Sequence, residues 1–194
     1  DGIIALGAST GGTEALKAIL TAFPADAPPT LATQHIPGSF SEAFVERVDR
    51  ASAICVKQAR DGEPAQRGHC YFPPGEHHLR LERSGARYLC RLDEGPPVNR
   101  HRPSVDVLFH SVASAAGINA RAAILTGMGA DGAAGLLAIH DAGGGTIAQD
   151  AASCIVWGMP GAAVERGAVD QVLPLQDIAR ALLAAAPQAR AARA

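Results

Sequence analysis

Short apolar runs alternate with amphipathic stretches along most of this chain. Ile3-Ile4-Ala5-Leu6 is a compact apolar run that predicts a strand. Leu16, Ile19, Leu20 and Phe23 then recur at helical spacing. Pro28-Pro29 interrupts the chain, and Thr30 to Gln34 reads as a second strand. Phe40, Phe44, Val45 and Val48 line one face of a second helix, with Ser39 and Glu42 at capping-box spacing before it. A third strand is expected over 53–58.

The pattern changes between residues 70 and 93. Prolines come first, then period-two alternation through Leu79 and Leu81, a Ser84-Gly85 turn, and alternation again at Leu89 and Leu92. That is the signature of a β-hairpin. Pro103 is placed in the first turn of a helix carrying Val105, Leu108, Phe109 and Val112. Strand and helix then alternate again: strands over 122–125, 146–148 and 169–173, and helices over 133–140, after Pro160, and over 177–184. The Ala/Arg-rich tail at 187–194 is expected to fray. No internal repeat is visible, and no linker is long enough to separate two domains.

Alternation of this kind predicts an α/β protein with a mainly parallel sheet, helices on both faces and an added antiparallel hairpin. Length and composition agree. The chain has 194 residues, 47% of them hydrophobic, with a net charge of -2. That suits one domain and excludes a disordered chain. The near balance of 17 basic and 19 acidic residues argues against a nucleic-acid partner. No apolar run is long enough for a membrane span, and no signal peptide is expected. The four cysteines form no CxxC pair and the histidines no HxxxH or HExxH pattern. Reduced, mostly buried thiols and no metal are the expectation.

In parallel sheets, ligands meet the loops at the carboxyl ends of the strands. Three such loops carry chemistry. After Leu6, the segment Gly7-Ala8-Ser9-Thr10-Gly11-Gly12 contains G-x-S-x-G before a helix. Small residues permit the sharp turn that exposes a serine nucleophile, although the same turn also suits a bound anion. His35 directly follows the second strand, where it is placed either as the base such a serine needs or as a turn residue before Pro37. After 122–125 comes Thr126-Gly127-Met128-Gly129-Ala130-Asp131-Gly132. Gly127, Gly129 and Gly132 spell G-x-G-x-x-G, and Asp150 stands where a ribose-binding acid would in a dinucleotide site. Asp131 would then lie beside a pyrophosphate, a repulsive arrangement. It can instead orient a histidine base, or cap the following helix.

Ser9, His35 and Asp131 each follow a strand at one edge of one sheet. Together with the segments around them they resemble a known family. GASTGG at 7–12, QHIPGSF at 34–40, YFPPGEHHL at 71–79, NRHRPSVDVLF at 99–109, TGMGADGAAGL at 126–136, TIAQD at 146–150 and WGMPGAA at 157–163 are similar, block by block, to the catalytic domain of the CheB-type chemotaxis protein-glutamate methylesterases.

The resemblance implies a doubly wound sheet and a cytoplasmic serine hydrolase. Its implied activity is removal of methyl groups from glutamate methyl esters on chemoreceptors, with deamidation of receptor glutamines as a possible second activity. The nucleophile falls on Ser9, the base on His35 and the acid on Asp131. Backbone N–H groups of Met128 and Thr10 fall at the oxyanion position. No cofactor or metal is implied. The implied partner is the cytoplasmic part of methylated chemoreceptors. One catalytic domain is expected over 1–186, from a longer parent with an N-terminal receiver domain, since only eight residues precede Ser9. Gly161 departs from the basic residue that many of the family carry there. A dinucleotide-dependent oxidoreductase and a non-catalytic receptor-binding module are the alternatives.

Overall fold

The computed structural model describes residues 2–184, so the tail expected to fray lies outside the described residues. The main sheet has seven strands. In chain order they are β1 (Ile3–Ala8), β2 (Thr30–Gln34), β3 (Cys55–Gln58), β4 (His69–Phe72), then β7 (Ala120–Ile124), β8 (Gly145–Gln149) and β9 (Gln171–Leu173). All pair in parallel, in the spatial order β3-β4-β2-β1-β7-β8-β9. Between β4 and β7 the chain forms a separate antiparallel hairpin from β5 (His78–Ser84) and β6 (Arg87–Asp93).

Among the described residues, six α-helices cover the sheet: α1 (Gly12–Thr21), α2 (Gly38–Ala51), α3 (Val105–Ala116), α4 (Ala133–Asp141), α5 (Met159–Glu165) and α6 (Leu175–Leu183). Period-two geometry sends successive side chains of a strand to opposite faces. In β1, Ile3 and Ala5 join one core and Ile4, Leu6 and Ala8 the other. The first core takes Val105, Leu108, Phe109 and Val112 of α3, Leu136 and Ile139 of α4, Ala163 of α5, and Leu79, Leu81 and Cys90 of the hairpin. The second takes Leu16, Ile19 and Leu20 of α1, Phe44, Val45 and Val48 of α2, and Ile178 and Leu182 of α6. Two apolar layers therefore clamp a sheet that is apolar on both sides, which is why its strands read as continuous apolar runs.

Several boundaries differ from expectation. Residues 69–72 form a buried strand of the main sheet, β4, which the sequence pattern had merged into the hairpin region. Four residues followed by Pro73-Pro74 are too few to display a period. α2 begins at Gly38 behind Pro37, and no side-chain cap bond forms, so Ser39 lies inside the first turn, Glu42 just beyond it, and there is no capping box. α3 begins at Val105, with Ser104 at the cap and Pro103 just outside. Cys70 and Cys90 are buried, but Cys55 is exposed.

Strand order reverses at β1. The chain runs outward through β2 on one side and through β7, β8 and β9 on the other. A crevice must open at the carboxyl ends of β1 and β7, where successive connections leave for opposite faces. The loops carrying Ser9 and Asp131 flank it.

Candidate active site

Ser9 is the first residue beyond β1. Its N–H donates to the Thr126 carbonyl at 2.9 Å, and its own carbonyl accepts from Gln34 Nε2 at 2.8 Å and from Gly12 N–H at 2.7 Å. The turn needs its glycines. Gly11 has φ +80 and lies against the Ile155 side chain, and a Cβ on Gly12 would collide with Gln34 and Ala8. The N-terminus of α1 starts at Gly12, so its positive dipole end lies just beyond the serine.

His35 follows β2, and its N–H donates to the Ala8 carbonyl at 3.1 Å. The ladder thus brings residues 9 and 35 side by side at adjacent strand ends, since Ala8 pairs with Gln34. The His35 ring is almost fully enclosed, with 7% of its side chain exposed. Its Nε2 lies 2.6 Å from Asp131 Oδ2. An ionised carboxylate only accepts, so Nε2–H donates and Nδ1 carries the free lone pair. That Nδ1 is buried without a hydrogen-bond partner among the described residues. No hydrogen bond joins Ser9 Oγ to the ring among the described residues; such bonds often tighten only when substrate is bound.

Asp131 occupies the loop between β7 and α4, but it does not cap α4, whose cap position is Gly132. It reaches across to the N-terminus of α3. Oδ2 accepts from Val105 N–H at 2.7 Å, and Oδ1 accepts from Asp106 N–H at 3.1 Å, Ser104 Oγ at 2.8 Å and Asn99 Nδ2 at 2.8 Å. Burial alone would raise this carboxyl. Donation from His35, Asn99, the Val105 N–H and Ser104 outweighs burial and holds it well below the usual carboxylate range. The group stays ionised at neutral pH.

The sequence did not single out Asn99, His101 or Ser104 as site residues. Asn99 Nδ2 bridges Asp131 and the buried Asp106, the latter at 2.7 Å. His101 stacks on His35 with ring centroids 3.6 Å apart. The available signal was the Asn99-Arg100-His101 run shortly before an apolar helix. Nothing in its spacing says that it folds back onto residues 35 and 131.

The Met128 loop is shaped by its neighbours. The Gly127 carbonyl accepts from the N–H groups of Gly158 and Met159 at 3.1 and 2.9 Å. A Cβ on Gly127 would collide with Met159 Sδ and approach Ser9. The loop is therefore pressed against the serine. Neither the Met128 nor the Thr10 N–H donates to a backbone carbonyl among the described residues. Thr126 ties the loops together: its hydroxyl donates to the Thr10 carbonyl at 2.9 Å and accepts from Ile155 and Val156 N–H at 3.0 and 3.1 Å. Met128, Ile155 and Trp157 present exposed apolar surface. Gly161 lies under the Trp157 ring. Beyond His35, a shallow cavity of about 270 Å³ is lined by Glu76, Arg100, His101 and Arg102, among others.

Other polar groups have structural partners. His78 is buried and bonded to the Pro96 carbonyl and the Ser104 N–H. His77 bonds to the Pro74 carbonyl and to Glu94. Asp150, the would-be ribose acid, accepts from the Ser153 N–H and hydroxyl, and Asp131 points at α3. The dinucleotide reading of the Gly127-Gly129-Gly132 loop therefore loses its ribose acid. Burial pushes the Cys90 thiol up to about 12 and the Cys154 thiol up to about 11, so neither is a thiolate at neutral pH. No group of three or more His, Cys, Asp or Glu side chains is placed to hold a metal among the described residues. Among the described residues, no helix is long and apolar enough to cross a membrane.

Comparison with known proteins finds relatives over most of the chain. The family model described as CheB methylesterase matches residues 4–182. A protein-glutamate methylesterase/protein-glutamine glutaminase 2 of Xanthomonas oryzae pv. oryzae is 59% identical over 190 residues, covering 98% of this chain and 53% of that protein. A relative of the same name from Pseudomonas aeruginosa is 56% identical over 181 residues, covering 93% of this chain and 52% of its own length. The chain thus spans about half the length of these curated relatives. The crystal structure of the Thermotoga maritima CheB methylesterase catalytic domain superposes with a TM-score of 0.91 at 37% identity, over 94% of this chain and 98% of that one. With a seven-stranded sheet of the same fold, and a family match that runs nearly end to end, the chain belongs to the CheB methylesterase family.

Proposed function

We propose that this chain is the catalytic unit of a protein-glutamate methylesterase that hydrolyses glutamate methyl esters on the cytoplasmic part of chemoreceptors. The observation that carries the reading is the His35–Asp131 pair, 2.6 Å apart and enclosed, at the strand end beside Ser9. An ionised Asp131 holds Nε2–H and leaves Nδ1 to act as the base.

In this reading His35 Nδ1 takes the Ser9 hydroxyl proton as Oγ attacks the ester carbonyl. The N–H groups of Met128 and Thr10, with the N-terminus of α1, stabilise the tetrahedral oxyanion. The intermediate collapses, methanol leaves with the proton from His35, and a glutamyl-Ser9 ester remains. Water, deprotonated by His35, then attacks that ester and regenerates Ser9 and a glutamate carboxylate. The same steps on a glutamine side chain release ammonia, consistent with the glutaminase in the relatives' names. The apolar rim of Met128, Ile155 and Trp157 suits contact with a protein substrate. About half of each relative's length lies outside the matched region, leaving room for a receiver domain in a longer parent. The site works in the cytoplasm and uses no cofactor.

The test is methanol release from a methylated chemoreceptor fragment. Wild type is expected to turn over, and Ser9→Ala to lose about 10⁶-fold, as nucleophile removal does in other serine hydrolases. Methanol release by Ser9→Ala at the native rate would sink the assignment.

A further inference from the structure

His35 carries a contact that its role as base does not use. The imidazole of His101 lies on it face to face, with centroids 3.6 Å apart and 8° between the planes. A tight reverse turn delivers it. Val98 N–H donates to the His101 carbonyl and His101 N–H to the Val98 carbonyl, both at 2.9 Å. The two residues between, Asn99 (φ 53) and Arg100 (φ 66), are both left-handed. Side-chain-bearing residues rarely occupy that conformation in succession, and such strain gathers where neighbouring structure enforces it. Asn99 of the same turn donates to Asp131. One strained turn therefore touches both His35 and Asp131.

Geometry gives the stack a task. The bond from His35 Nε2 to Asp131 Oδ2 fixes one end of the ring but leaves rotation about that axis. No second bond stops the rotation, because Nδ1 has no partner among the described residues. A parallel ring at 3.6 Å does stop it, and so sets the direction of Nδ1.

We propose that His101 is a positioning residue for His35, whose ring holds the plane of the base and, while neutral, faces the imidazolium formed when Ser9 gives up its proton. The proposal rests on the reading of His35 as the base. Around His101 lie His35 and Asp131, and along the shared cavity Arg100, Arg102 and Glu76. Burial pushes His101 below the usual histidine range, His35 pushes it further down, and Asp131 partly opposes both. A proton on each ring at this separation is strongly repulsive.

The experiment measures kcat and KM for methanol release across pH about 5 to about 9 in wild type, His101→Ala and His101→Phe, with thermal melting of each. His101→Ala is expected to lower kcat about 10- to 100-fold with KM within about twofold, the size of effect that a misaimed catalytic group produces. His101→Phe restores a flat ring and is expected to recover kcat to within about threefold of wild type, while its acid limb loses one of two linked protons. A folded His101→Ala with native kcat overturns the proposal, as does a folded His101→Phe that is as slow as His101→Ala. Should a variant not fold, imidazole NMR titration of the wild-type protein decides instead: linked curves for residues 35 and 101 support the proposal, and independent ones overturn it. His35→Ala, assayed in parallel, tests the base assignment separately, since native turnover there would sink that reading whatever His101 does.

Discussion

The carboxylate of Asp131, in the loop after β7, accepts the Val105 N–H at 2.7 Å at the N-terminus of α3. This single side chain joins two connections that are separate in sequence and orients His35 at the same time. Its oxygens are saturated by donors, so the histidine meets a carboxylate that does not move.

Replacing Asp131 by Asn keeps the size but turns an NH₂ group toward donors. His35 would then lose its acceptor and adopt the wrong tautomer. Methanol release is expected to fall by about 10⁴-fold, the loss seen for the equivalent change in other triads. Asp131→Ala leaves the Val105 and Asp106 N–H groups and Asn99 without their shared acceptor. Urea unfolding is expected to register a loss of about 3 kcal/mol or more, at about 1 kcal/mol or more per orphaned donor.

The lowered Asp131 carboxyl also predicts acid sensitivity. Folding favours its charged form, so the folded protein binds this proton less readily than the unfolded chain. The stabilisation is fully present above the unfolded carboxyl value of about 4 and is lost as pH falls from there toward the lower folded value. In urea melts, wild type is expected to lose stability below about pH 4 more steeply than Asp131→Asn. Parallel curves for the two proteins would contradict this.

Gly158 leaves no room for a side chain. A Cβ there would stand 2.8 Å from the Gly127 carbonyl oxygen and 2.9 Å from the Gly129 nitrogen. Both are backbone atoms, which cannot rotate away. Gly158→Ala is expected to push the Met128 loop off Ser9 and to lower kcat about 100-fold, with the protein still folded by circular dichroism. Native kcat in Gly158→Ala would remove the Met128 N–H from the oxyanion site.

Thr126→Val removes the hydroxyl that joins the Thr10, Ile155 and Val156 backbones while nearly keeping volume. A loss of about 1–3 kcal/mol in urea unfolding is expected from the unpaired N–H groups. A drop in kcat should accompany it, because the Thr10 loop loses its tie.

Sequence and tertiary structure divided the work along a physical line. The sequence by itself determined the layers: β1 is apolar on both sides because helices cover both faces of a parallel sheet, and that pattern is local. It also placed Ser9, His35 and Asp131, because strand ends are where such loops must fall, and their flanking motifs pointed to the family. β4 escaped because four residues before two prolines carry no period. The partners of Asp131 escaped for a different reason. Asn99, Ser104 and Val105 lie 26 to 32 residues away along the chain, and His101 is 66 from His35 (101 − 35). Contacts across such separations are fixed by how α3 packs against the sheet, not by any local preference. Only the tertiary structure decided that Asp131 serves the helix before it in the chain rather than the one it precedes, and that a second histidine lies against the first.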